Sequence, residues 1–197
     1  MATDVTARTR LTGAARREQI LDVTHAIVDS EGFHAATPGR IAEEAGVTRP
    51  VLYQQFGDLA GVFVALIDRE RARAGVQFAE ATSRPTSDEQ NPFISAFIGI
   101  LRAIDEHPAT WRLFLVPPQG APPELHERLA QSQAVVRDFL RAELEKAFPG
   151  MPDPEYTARM VQASGGELLR LRLTDPKEAT VERLTAQVRQ IAAVVDR

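Results

Sequence analysis

Residues 37–56 of the chain read TPGRIAEEAGVTRPVLYQQF and contain the signals that start and end two short helices. Thr37 offers a side-chain oxygen to cap a helix, and Pro38 follows at the first helical position, where its missing N–H costs nothing. Gly46 is suited to the left-handed conformation that ends that short helix, after which Thr48 is placed to cap a second one. Two short helices around a glycine turn predict a helix-turn-helix.

The second of these helices, which we expect to end near Phe56, has two chemically different sides. Leu52 and Phe56 are four residues apart, so they lie on one side and anchor the helix to the fold. Their burial turns Arg49 and Tyr53, also one turn apart, toward the outside. A major groove about 12 Å wide accepts one α-helix. By residue type, the groups offered to DNA are Arg49 for guanine or phosphate, Val51 for a thymine methyl, Gln54 for adenine and Tyr53 for phosphate.

The charges of the chain are unevenly distributed. The whole chain carries a formal net charge of −4, and in residues 1–60 six arginines face eight acidic residues. Residues 1–17, however, contain four arginines and one aspartate. Such a cationic arm suits DNA phosphates or a minor groove, and the alternative is a solvated tail. Thr37 with the neighbouring backbone amides, and Arg40 one turn further on, form a second candidate anion site.

Composition excludes several other classes of protein. The hydrophobic fraction of 44% and charged fraction of 25% are near globular averages. No apolar run approaches the roughly 18 residues of a membrane span, and no secretory signal is evident. The chain has no cysteine, which excludes disulfides and thiol chemistry. We therefore expect a cytoplasmic protein with no membrane partner, no metal and no resident cofactor.

Helical periodicity runs through the rest of the chain, and no alternating strand pattern occurs, so the predicted fold is all-α with about nine helices. The polar stretch 82–92, which contains two prolines, predicts a linker and a candidate domain boundary. The predicted helices cover residues 14–31, 38–45, 48–56, 58–81, 93–108, 111–116, 124–148, 154–175 and 177 onward.

The ninth helix has an apolar seam of alternating three- and four-residue spacing, which predicts a partner helix. We expect the eighth and ninth helices to form a four-helix bundle with a second copy of the chain; the alternative is that the seam packs within its own chain. A dimer would hold two recognition helices about 34–36 Å apart, one DNA turn, and so read a palindrome. The predicted interface residues are Gly165, Leu168, Val181, Leu184, Val188, Ile191 and Val195.

Apolar side chains of the fifth to eighth helices are candidates for a ligand cavity, because helical bundles commonly hold small molecules between their helices. The alternative is that the same residues form a plain core. The candidate lining residues are Phe93, Phe97, Trp111, Phe114, Phe139, Met160 and Gln162.

The quoted stretch also resembles a known family. Residues 41–48 followed by 52–56 are similar to the DNA-binding motif of the tetracycline-repressor family, and the likeness runs back through Arg17, Ile20, Leu21 and Gly32-Phe33 to Thr37. It covers roughly the first 60 residues as one ordered pattern. The resemblance implies that Thr48 caps the recognition helix, that Arg49, Val51 and Gln54 face bases, and that Thr37, Tyr53 and Gln55 face phosphates.

Two positions depart from the family pattern. Gln55 stands where a histidine or another aromatic is common, and Leu59 stands where the family has a lysine. Loss of that lysine removes one phosphate contact that the resemblance implies, so we expect either weaker affinity or a shift of phosphate binding to Arg16, Arg17 and Arg40. Residue types and resemblance together give the predicted DNA-binding set: Arg16, Arg17, Thr37, Arg40, Thr48, Arg49, Pro50, Val51, Tyr53, Gln54 and Gln55.

We divide the chain into a DNA-binding domain at 1–58, including the basic arm 1–17, and a helical ligand-binding and dimerisation domain at 59–197. The expected function is that of a homodimeric repressor released from double-stranded DNA by a small-molecule effector. One alternative is a dimeric interaction module with a degenerate DNA-binding head, prompted by Leu59 and the acidic balance of 1–60. A helical enzyme is the other, although no metal-binding histidine pair, phosphate loop or nucleophile elbow is present.

Overall fold

The computed structural model describes residues 12–83, 89 and 91–195, with the side chains of 193–195 left aside. These residues form nine α-helices, one short 3₁₀ turn and no strand, so the all-α prediction is confirmed. The helices are α1 Gly13–Glu31, α2 Pro38–Glu44, α3 Arg49–Phe56, α4 Leu59–Ser83, α5 Pro92–Glu106, α6 Pro108–Leu115, α7 Pro123–Ala147, α8 Pro154–Thr174 and α9 Val181–Val195, with the 3₁₀ turn at Phe33–Ala35.

Proline sets the start of most helices after the first. Helices α2, α5, α6, α7 and α8 all begin at a proline, whose fixed φ and absent N–H suit the first helical position. For the same reason α6 begins at Pro108, three residues earlier than the apolar run indicated. Asn91 and Asp153 cap α5 and α8 with side-chain oxygens. The ninth helix begins at Val181 rather than near Lys177, because a turn precedes it.

The buried side chains form two clusters. The first joins α1 to α4, and it continues into the rest of the chain through Leu113 and Phe114 of α6 and Leu125 of α7. The second cluster lies among α5, α6, α8 and α9 and includes Leu101 and Trp111. Helix α6 contributes to both clusters, so it links the N-terminal head, residues 12–58, to the helices behind it.

Polar contacts reinforce this junction. Arg112 of α6 makes a two-pronged ion pair with Asp29 of α1, at 2.7 and 2.8 Å. The backbone N–H of Phe33 donates to the carbonyl of Gln119 in the loop after α6, at 3.0 Å. The carboxylate of Glu70 on α4 is fully buried and accepts from Thr110 of α6 at 2.6 Å. Helices α1, α4 and α6 are therefore held together by charge as well as by packing.

No single helix within 12–83 and 91–195 is both long and apolar enough to cross a membrane. The pair α3 and α4 meets that test only when joined, and it is bent by 59° at its break.

Candidate nucleic-acid interface

The turn between α2 and α3 is set by Gly46. Its φ of 61° lies in the left-handed region, where glycine carries no Cβ penalty. The N–H of Gly46 donates to the carbonyl of Glu43 at 3.0 Å, and the N–H of Val47 donates to that of Ala42 at 2.9 Å. These bonds satisfy carbonyls left free at the end of α2. The tight turn predicted from the sequence is confirmed.

Helix α3 buries one side and exposes the other, as its residue spacing predicts. Leu52 is completely buried, and Phe56 packs against the first cluster. On the opposite side Tyr53 is 42% exposed. Three further residues of the predicted reading face, Arg49, Pro50 and Gln54, are exposed, whereas Val51 and Gln55 are half-buried. The predicted outward side of α3 is therefore confirmed.

The start of α3 differs from the prediction. Thr48 stands at the N-cap position, but its side chain makes no capping hydrogen bond, so the cap predicted for its hydroxyl is wrong. Pro50 has no N–H to offer, and the N–H of Val51 donates to the carbonyl of Thr48 at 3.0 Å. Thr37, by contrast, caps α2 as predicted, its hydroxyl oxygen accepting from the N–H of Arg40 at 3.3 Å.

Arg49 lies against the first turn of α2. A Cβ built on Gly39 would stand 2.6 Å from Nη2 of Arg49, so the guanidinium occupies the space above this glycine. Thr37, which is exposed, stands two residues before Gly39. The positive group of α3 and the capped start of α2 therefore lie side by side.

Two of the predicted phosphate contacts are engaged within the chain. Arg17 stacks on the ring of Phe56, with 4.2 Å from its Cζ to the ring centroid, and donates to the carbonyl of Gln55 at 2.6 Å. It ties α1 to the end of α3, so we reassign it from a DNA contact to a residue that positions the recognition helix. Arg16 donates to Gln19 one turn away, at 3.1 Å. The more distal arm, residues 1–11, lies outside the described residues.

Arg40 is a third engaged arginine. It pairs with Glu31 at 2.6 Å and with Glu44 at 2.7 Å, and the hydrogen bonds that it donates to Glu31, and then those to Glu44, raise the pKa of Arg40. The hydrogen bond from Arg40 lowers the pKa of Glu31. Arg40 stays a predicted phosphate ligand, but two carboxylates of the same chain engage its guanidinium. Spacing in α2 could have revealed Glu44, but Glu31 stands nine residues before Arg40 on another helix.

Leu59, where the family pattern has lysine, is half-buried and packs against the first cluster. Asp58 accepts the N–H of Gly61 at 2.7 Å and thereby caps α4. No sequence pattern predicted a role for Gly61, which lies where the end of α3 closely approaches α4.

Residues 20–66, which contain this helix-turn-helix, match the family model for bacterial regulatory proteins of the tetR family. This segment of the chain is therefore similar to the tetR family. A stretch of 94 residues is 31% identical to the HTH-type transcriptional activator FasR of Mycolicibacterium smegmatis, covering 47% of this chain and 43% of that protein. The matches span less than half the length of the curated relatives, 43% for FasR and 36% for the nucleoid occlusion factor SlmA of Pasteurella multocida.

Solved structures share the whole architecture. A TetR-like transcriptional regulator from Rhodococcus sp. RHA1 has a TM-score of 0.69 at 24% identity, over 93% of this chain and 99% of that one. The regulator FadR from Bacillus subtilis, solved with stearoyl-CoA, has a TM-score of 0.65 at 13% identity, over 87% of this chain and 94% of that one. At these identities the likeness shows a common fold.

The predicted dimer seam lies largely inside the subunit. Leu184 is only 5% exposed and belongs to the second cluster, so its assignment to a subunit interface is wrong. Leu168, Val181 and Val188 are half-buried and pack against the same cluster. These seam side chains are covered because α9 packs on α5 of the same subunit. Ile191 remains exposed, and the side chain of Val195 lies outside the described residues.

The buried candidate pocket residues are divided between the two clusters. Phe114 belongs to the first cluster, whereas Phe97 and Trp111 belong to the second. Met160 is 72% exposed, so its prediction as a lining residue is wrong: it lies on the outer side of α8.

Three more pocket candidates are half-buried: Phe93, Phe139 and Gln162. Phe139 contacts the ring of Phe78 edge to face, at 5.5 Å between centroids. Gln162 donates to the carbonyl of Gln133 at 2.8 Å, which joins α8 to α7.

Proposed function

We propose that the chain is a homodimeric, sequence-specific transcriptional regulator that binds a palindromic operator and is released by a small-molecule effector. The observation that carries this proposal is the outward side of α3, where Arg49, Tyr53 and Gln54 are exposed while Leu52 anchors the helix from behind. We propose repression as its mode and the bacterial cytoplasm as its place of action. Because the relative FasR is named an activator, a promoter assay has to distinguish repression from activation.

In this proposal α3 enters the major groove. Arg49 pairs with guanine or a phosphate, Gln54 bonds adenine in bidentate fashion, and Val51 contacts a thymine methyl. The hydroxyl of Tyr53 donates to a phosphate, as does that of Thr37 at the start of α2. Arg17 holds α3 at the required angle through the carbonyl of Gln55.

Selection of bound duplexes from a random DNA pool tests the proposal. A palindromic consensus with half-sites about one turn apart supports both operator reading and dimer symmetry. Affinity for that duplex should fall steeply as salt rises, because each phosphate contact releases counterions. An enzyme, or an interaction module with an inactive head, would select no consensus sequence.

The two ends of the outward side of α3 should respond differently to substitution. Arg49→Ala removes a base contact, so we expect it to cost about 1–3 kcal/mol and to relax selection at one position. Tyr53→Phe removes one phosphate hydrogen bond, so we expect a loss of about 0.5–1.5 kcal/mol that is equal across sequences. Competition binding against duplex variants measures both. Arg71→Ala, which removes an exposed charge on α4, is the control; parent-like binding by both α3 variants would contradict the assignment.

The outer side of α8 supports the dimer part of the proposal. Tyr156 and Met160, one turn apart, are 68% and 72% exposed, far more than large apolar side chains usually are in a soluble domain. Further along the helix, Gly165 and Gly166 have open space where a Cβ would stand, so a second helix can approach closely. Ile191 of α9 is 50% exposed. We propose that this surface, to which the seam of α9 contributes Ile191, meets its symmetry mate.

We expect Met160→Glu to weaken the dimer. An unpaired charge buried in an interface costs several kcal/mol, or about 100-fold or more in the dimer dissociation constant. Sedimentation at several concentrations measures the change. Val76→Glu is the matched control, since Val76 is 60% exposed on α4 and lies outside the proposed interface. Equal behaviour of the two variants would place the interface elsewhere.

The effector is proposed to bind among α5 to α8 and to favour a conformation whose recognition helices no longer fit one operator. FadR was solved with stearoyl-CoA, which supplies a concrete first probe. Stearoyl-CoA is added to the operator complex, and two signals are measured: the release of DNA and the fluorescence of Trp111, the single tryptophan of the chain. Free stearate and coenzyme A are the companion probes.

A further inference from the structure

Arg40 stands at the DNA-facing end of the helix-turn-helix, but carboxylates surround it. Its backbone N–H donates to the Thr37 hydroxyl in the first turn of α2, next to Gly39, on which the guanidinium of Arg49 rests. The two arginines are therefore neighbours in space, but their electrostatic surroundings differ. Within the described residues, no carboxylate pairs with Arg49, whereas two pair with Arg40.

The carboxylates engage three nitrogens of the guanidinium. Nη1 and Nη2 of Arg40 donate to the two oxygens of Glu31 at 2.9 and 2.6 Å, and Nε donates to Glu44 at 2.7 Å. Arg40, Glu31 and Glu44 together carry a net charge of −1, whereas Arg40 without its partners would carry +1. The Arg40 hydrogen bond lowers the pKa of Glu31 and so favours the ionised form of this carboxylate.

These ion pairs are not part of the folded core. The side chains of Arg40, Glu31 and Glu44 are 36%, 49% and 43% exposed. Exposed pairs of this kind contribute little to folding, since solvent screens them. The same screening leaves them open to competition from a stronger anion such as a DNA phosphate.

We infer that Glu31 and Glu44 act as an electrostatic brake on DNA binding, holding Arg40 away from the phosphate that it would otherwise contact. This inference rests on the proposed function. Binding of a phosphate near the start of α2 must either displace a carboxylate from Arg40 or bring a negative group against a site of net charge −1. The brake lowers affinity for all DNA alike, because phosphates carry no sequence information.

The test is a salt titration of binding to the selected operator by Glu31→Gln, by Glu31→Gln with Glu44→Gln, and by Glu43→Gln. Glu43 lies on the same helix, is exposed and has no ion pair within the described part of the chain, so its variant removes an equal charge without touching Arg40. We expect Glu31→Gln to bind more tightly than Glu43→Gln. We also expect the slope of log K against log salt to steepen by about 0.9 for each protomer when both carboxylates are removed.

Arg40→Ala completes the test in two backgrounds. In the parent, Arg40→Ala should leave the salt slope unchanged. In the protein that carries both Glu31→Gln and Glu44→Gln, it should abolish the gain in operator affinity and in salt slope. Weaker binding by Glu31→Gln, or binding equal to that of Glu43→Gln, would overturn the brake: the former would mean that Glu31 positions Arg40 for DNA. Failure of the parent to select any operator would instead overturn the proposed function. Circular dichroism checks that each variant is folded.

Discussion

We expect Gly61→Ala to reduce operator affinity about tenfold or more and to destabilise the head, although it adds a single methyl group. A Cβ on Gly61 would overlap the carbonyl oxygen of Phe56, the last residue of α3. That oxygen belongs to the backbone and cannot rotate away, so α3 must move relative to α4. Such overpacking typically costs about 1–3 kcal/mol, and the recognition helix is the element displaced.

Gly75→Ala provides the matched control on the same helix. A Cβ on Gly75 meets nothing within 4 Å, so the change brings only the higher helix propensity of alanine, about 1 kcal/mol. We expect this variant to be as stable as the parent or more so, with unchanged operator binding. Urea unfolding followed through Trp111, together with operator titration, measures both properties. Similar results for the two variants would show that α3 does not depend on its contact with Gly61.

The second large effect is expected at Glu70, whose side chain is completely buried. It accepts from Arg69 at 2.9 Å, Arg73 at 3.1 Å and Thr110 at 2.6 Å. Removing this carboxylate leaves the Thr110 hydroxyl and the Nε–H of Arg69 without an acceptor in the interior, which costs about 1–3 kcal/mol for each buried group. Since domains are stable by about 5–15 kcal/mol, Glu70→Ala should lose a large part of the free energy of unfolding.

Asp22→Asn tests whether burial is the cause. Asp22 pairs with the same Arg69 at 2.8 Å but is 65% exposed, so its loss should cost less than about 1 kcal/mol. Urea unfolding of both variants measures the difference. Equal losses would mean that solvent already reaches Glu70. Nδ1 of His25 on α1 lies 3.6 Å from the same carboxylate, so we also expect Glu70→Ala to loosen the head from α4 and α6.

Local signals in the sequence were sufficient to predict the nine helices of the described residues, apart from the starts of α6 and α9, and the outward side of α3. Thr37-Pro38 and Asp153-Pro154 start helices because a side-chain cap and a proline act on neighbouring backbone groups. Gly46 makes the turn for an equally local reason, its left-handed φ. Leu52 faces inward because 3.6 residues per turn place it opposite the exposed side.

Tertiary structure alone decided which neighbour each side meets. Periodicity groups Leu184 with its seam, but only packing shows that α5 of the same subunit covers it. Met160 likewise lies outside rather than in a cavity. Arg40 has a local partner in Glu44, yet Glu31 reaches it from the end of α1. Local sequence sets the conformation and the faces of a helix, because those depend on adjacent residues, whereas the partner of a face depends on how distant helices pack.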